Sequence, residues 1–71
     1  MIAITLIVFP GGFEDVKEVP AGWTVEQAVA SFALADRGIC LNGRDLSKNE
    51  QASTVLSAGD TVAALAPQKG N

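Results

Sequence analysis

The stretch IAITLIVFPGGFEDVKEV, residues 2–19, decides the fold. Residues Ile2 to Phe9 are β-branched or large and apolar except for Ala3 and Thr5, and Pro10-Gly11-Gly12 ends the run, so this segment reads as a strand entering a turn. Side chains alternate across a strand, which puts Ile2, Ile4, Leu6 and Val8 on a core face and Ile7 and Phe9 on the opposite one. The reverse parity would bury Ala3, Thr5, Ile7 and Phe9 instead. Phe13 to Val19 reads as a second, more polar strand, closing a β-hairpin over Pro10-Gly11-Gly12. Val16 and Val19 are three apart, which predicts a bulge or an early bend before Pro20. The carboxylates Glu14, Asp15 and Glu18 read as a solvated face that blunts strand pairing.

Working outward, PAGW (20–23) is a loop and Thr24 opens a helix. Thr24 and Gln27 have the spacing of a capping box, and Glu26 sits in the first turn, where a negative charge opposes the positive end of the helix dipole. Val25, Ala28, Val29 and Phe32 follow i, i+3, i+4, i+7, so one face is apolar and the helix is expected to run to Leu34 or Ala35. Trp23 is placed to staple against Ala28 or to cover the helix entry. Further on, Asn42-Gly43 between short apolar stretches is a two-residue hairpin turn in which both residues take positive φ. Its strands are Ile39–Leu41 and Arg44–Leu46. SKNEQASTVL (47–56) reads as a loop with a brief turn of helix, SAGD (57–60) as a tight turn, and Thr61–Ala66 as the last strand. No internal repeat or low-complexity segment interrupts this order.

The 71 residues make one domain; 48% are hydrophobic and 18% charged, which is a globular composition. A core of this size supplies on the order of 3–5 kcal/mol. The net charge of −3, with five scattered Lys and Arg, argues against nucleic acid as a ligand. The apolar start lacks a basic leader and is too short to span a bilayer, so no membrane role is expected. The single cysteine, Cys40, permits no internal disulfide and fits a reducing cytoplasm. With no histidine and no tyrosine, Ser-His and Cys-His nucleophile pairs and His-containing zinc sites are excluded. The expectation is a non-enzyme with no cofactor and no metal. Cys40, among apolar neighbours, reads as a structural thiol. Pro10-Gly11-Gly12 reads as a plain turn and not a phosphate cradle, because no helix opening on Lys-Ser/Thr follows it. Asp45 and Asp60 lack the spacing of a calcium loop.

Strand, strand, helix, short hairpin, loop, strand is an α+β order. A hairpin followed by a crossing helix places the last strand beside the first and parallel to it. The expected architecture is a ubiquitin-like β-grasp: a mixed four- to five-stranded sheet with one helix on one face, over residues 1–66, and a flexible tail at 67–71. One helix covers one sheet face, so Ile7, Phe9 and Leu65 are expected to form a protein-binding patch on the other. The domain is expected to be monomeric or weakly self-associating.

The segments VPAGWTVEQAVASF, ICLNGRDL and TVLSAGDTVAALAPQKGN resemble the ThiS/MoaD-like small sulfur carriers of thiamine and molybdopterin synthesis, across most of the chain. The sharpest part is Leu56-x-x-Gly59-Asp60-x-Val62 with the Asn42-Gly43 hairpin before it. The resemblance implies a partner protein, an adenylating enzyme or a synthase large subunit. It also implies a C-terminal tail whose last carboxylate is adenylated and then thiocarboxylated. Lys69, Gly70 and Asn71 occupy the tail position, with Asn71 where those carriers have their second glycine. Two readings follow. One is a non-catalytic interaction module that keeps the scaffold without the diglycine, of regulatory, accessory or phage type. The other is a working sulfur carrier.

Overall fold

The computed structural model describes residues 1–66. It is an α+β domain with the order β1 (Ile2–Val8), β2 (Phe13–Val19), α1 (Val25–Ser31), β3 (Ile39–Leu41), β4 (Arg44–Leu46), α2 (Lys48–Ser53) and β5 (Thr61–Ala64). The strands form one mixed five-stranded sheet in the order β2-β1-β5-β3-β4. β1 and β2 pair antiparallel, β1 and β5 parallel, and β5 and β3 antiparallel, so the chain's first and last strands lie side by side at the centre.

The alternation in β1 falls as the periodicity predicts. Ile4 and Leu6 are buried, and they join Val19, Val25, Val29, Ile39, Leu56, Val62 and Ala64 in the core under the helices. The expected bulge in β2 is absent, because the β1–β2 register runs one-to-one from Ile2↔Val19 to Val8↔Phe13. The odd spacing resolves differently: Val19 is buried, whereas Val16 lies on the opposite face, 62% exposed. The three carboxylates are also divided, with Glu14 and Glu18 sharing Val16's face and Asp15 on the helix side, paired with Lys17 at 3.4 Å. The Lys17 ammonium in turn sits 5.9 Å from the ring centre of Phe32.

α1 is shorter than its apolar periodicity implies. Its start is as expected: the Gln27 N–H donates to Thr24 Oγ1 and the Thr24 N–H donates to Gln27 Oε1. Its end is a Schellman motif, in which the Leu34 N–H donates to the Val29 carbonyl and the Ala33 N–H to the Ala30 carbonyl. Ala33 takes the left-handed conformation, φ 60°, that glycine normally supplies there. With no glycine to mark the stop, the periodic pattern runs past it. Val29 and Leu34 are both buried in the same core cluster.

A second helix, α2, replaces the single-helix expectation. Ser47 and Glu50 form a reciprocal capping box around it, a signal present in the sequence as Ser47-x-x-Glu50. α2 buries Gln51, whose Nε2 donates to the Leu46 carbonyl at 3.1 Å. Among the described residues no helix is long and apolar enough to cross a membrane.

Candidate interaction face

Both helices cover one side of the sheet and leave the other open. The open side is built from the odd positions of β1 and their partners, because residues directly opposite in a ladder share a face. One row crosses all five strands: Glu14, Ile7, Ala63, Cys40 and Asp45, from the β2 edge to the β4 edge. A second row holds Val16, Thr5 and Thr61. The pairing extends past the strand ends, with the Phe9 N–H donating to the Ala64 carbonyl and the Leu65 N–H to the Gly38 carbonyl. Leu65 Cβ lies 3.8 Å from where a Cβ on Gly38 would stand, so its side chain lies over this glycine on the open side.

The structure therefore brings Ile7, Phe9 and Leu65 to one end of one face. Ile7 is half-buried between its neighbours, Phe9 is 43% exposed and Leu65 37%. Arg37 fixes this end: its Nη1 donates to the Phe9 carbonyl at 2.8 Å. The tail positions Lys69, Gly70 and Asn71 lie outside the described residues.

Two features of this face were not legible in sequence. Cys40 lies on the open side, only partly buried, and its thiol donates to Asp45 Oδ1 at 2.9 Å. That hydrogen bond first, then desolvation and the Asp45 charge, push the Cys40 pKa up, which keeps the sulfur protonated and a poor nucleophile. Asn42 is more than a turn residue. Its Oδ1 accepts from the Thr61 N–H and its Nδ2 donates to Asp60 Oδ1, tying the β3–β4 turn to the start of β5. The other carboxylate oxygen of Asp60 accepts the Ser57 N–H, and the Asp60 N–H donates to the Ser57 carbonyl, closing the tight turn expected of SAGD, with Gly59 at φ 89°.

The outer edge of β2 is partly closed. The Thr5 and Phe9 N–H groups point to β5, so the even residues of β1 pair with β2, and Glu14, Val16 and Glu18 turn their backbone groups outward. The Val16 N–H is taken by Asp15 Oδ1 at 2.8 Å, which removes the central donor a further strand would need. On the helix side, a groove between α1 and α2 is lined by Val29, Ala35, Lys48 and Gln51, and Lys48 Nζ spans it to donate to the Ala35 carbonyl. No group of three His, Cys, Asp or Glu among the described residues is placed to hold a metal ion. Comparison with protein-family models and with curated proteins gives no match to this chain.

Proposed function

We propose that this chain is a ubiquitin-like β-grasp domain, related to the ThiS/MoaD sulfur carriers, that acts by docking another protein on the open face of its sheet. The strand order β2-β1-β5-β3-β4, with α1 bridging β2 and β3 over one face, supports the β-grasp reading. The observation that carries the docking reading is the grouping of Phe9 and Leu65, both exposed, beside Ile7 and Ala63 on the face that no helix covers. Apolar side chains brought together on an open face gain free energy when a partner removes them from water. The absence of chemistry of its own is supported by Cys40, whose contact with Asp45 holds it in the unreactive thiol form. A reducing cytoplasm suits that unpaired thiol.

The test uses an adenylating enzyme of thiamine or molybdopterin synthesis. The 71-residue chain is titrated into it with and without ATP, binding is followed by calorimetry, and the product is weighed by mass spectrometry. The expected result is binding that Phe9→Asp abolishes, with no adenylate and no oxygen-to-sulfur mass gain. Equal binding by Phe9→Asp would remove the open face from the reading. A thiocarboxylate on the unaltered chain would establish the sulfur-carrier alternative, which rests on Lys69, Gly70 and Asn71.

A further inference from the structure

Among the described residues, the charged side chains that the strands place on the open face are of one sign. The row through Ile7, Ala63 and Cys40 begins with Glu14 on β2 and ends with Asp45 on β4, and Glu18 lies on the same face two residues beyond Val16. Four strand gaps of about 4.8 Å separate the ends of that row by about 19 Å. Among the described residues, no strand places a cation on this face. Lys17 is on the helix side with Asp15, Lys48 reaches Ala35, and Arg44 pairs across from Leu41 on the alternate register, while Arg37, from the loop before β3, meets only the Phe9 end of the face, where the Phe9 carbonyl holds it. Ile7, Ala63 and Cys40 thus occupy the middle of that row, next to Phe9 and Leu65 at one end of the face, with carboxylates on both edge strands.

From this arrangement we infer that the partner surface is cationic and apolar together: a protein segment that seats aliphatic or aromatic side chains on Ile7, Ala63, Phe9 and Leu65 and brings Lys or Arg to both edges, against Glu14 and Glu18 on one side and Asp45 on the other. This rests on the docking reading above and specifies the partner for that same face. Charges at the rim of an interface act mainly by steering encounter and rejecting wrong partners, while the apolar centre supplies affinity. The same carboxylates oppose a second copy of this chain, because any face-to-face pair brings like charges together. They likewise oppose anionic membranes and nucleic acid.

The test titrates the ¹⁵N-labelled protein with two capped peptides of equal length, one alternating Lys with Leu and one alternating Glu with Leu. The Lys peptide is expected to shift the amide resonances of Ile7, Val16, Cys40 and Ala63 and to bind more weakly as salt rises, with the Glu peptide binding at least several-fold less tightly. Glu14→Gln and Asp45→Asn should each weaken the Lys peptide by about two- to five-fold. Glu26→Gln, which removes the same charge from α1 on the other side, should leave it unchanged. Equal binding of the two peptides on this face would overturn the charge inference and leave the docking reading standing. Equal losses from Glu26→Gln and Glu14→Gln would overturn it too, by reducing the effect to net charge. If neither peptide shifts the face, both readings fall.

Discussion

The two faces of the sheet are made by the same strands, yet they obey different rules. On the covered face, Ile4, Leu6, Val62 and Ala64 sit under Val25, Ala28 and Val29, and almost no water reaches them. On the open face, one residue away along each strand, Ile7 and Ala63 are half-buried, Val16 is exposed, and the row ends in carboxylates. The covered side has the size and dryness of a folding core. The open side has the mixture of apolar centre and charged rim that suits recognition. The difference teaches that folding stability and the proposed docking are divided here by strand parity, so that each can be perturbed without the other.

The largest expected effect tests that division directly. Ile4→Ala should cost about 2–5 kcal/mol, most of the stability of so small a domain, because it opens a cavity beneath the helices. Val16→Ala, from the neighbouring strand and the opposite face, should stay within about 0.5 kcal/mol. Urea denaturation of both variants checks it, and equal losses would break the comparison.

Asn42→Ala comes next and sharpens the boundary, since it is an open-side residue with a structural task. It removes the side-chain bonds to Thr61 and Asp60 and puts alanine at φ 51°. A loss of about 1–3 kcal/mol is expected, read as a lower melting temperature.

A smaller effect belongs to the cap of α2. Ser47→Ala should cost about 1 kcal/mol. Its partner Glu50 has a carboxyl held below its ordinary pKa by hydrogen bonds from Ser47, backbone first. A depressed carboxyl pKa stabilises the fold above the unfolded value, and that contribution disappears as pH falls through the folded one. The gap in urea midpoint between the unaltered protein and Glu50→Ala should therefore be present at pH 6 and shrink at pH 3.

The smallest effect runs the other way. Ala33→Gly should raise stability by about 0.5 kcal/mol, because glycine takes the left-handed position without the Cβ penalty, less the greater freedom it gives the unfolded chain. A rise in urea midpoint with an unchanged slope would confirm that the Schellman turn fixes the end of α1.

The sequence by itself determined the first hairpin, the parity of β1, the α1 capping box, the Asn42-Gly43 turn, the closed Ser57–Asp60 turn and the parallel place of β5. Each of these is either written within a handful of neighbouring residues, through alternation, capping and positive φ, or follows from the order of elements and the rules of chain crossing. The cap of α2 was written there too, as Ser47-x-x-Glu50, but its run carries no apolar period to announce a helix. Only the tertiary structure decided where α1 stops, because Leu34 turns back into the core, its N–H bonded to the Val29 carbonyl, with an alanine in a glycine's conformation between them. It alone put Val16 and Val19 on opposite faces without a bulge, set Cys40 against Asp45, and clipped Asn42 to Thr61. Those are matters of register and of contacts between strands far apart in the chain, and local patterning holds no record of them. The carboxylates at the two ends of one row, Glu14 and Asp45, are 31 positions apart in sequence and meet on one face only once five strands are aligned.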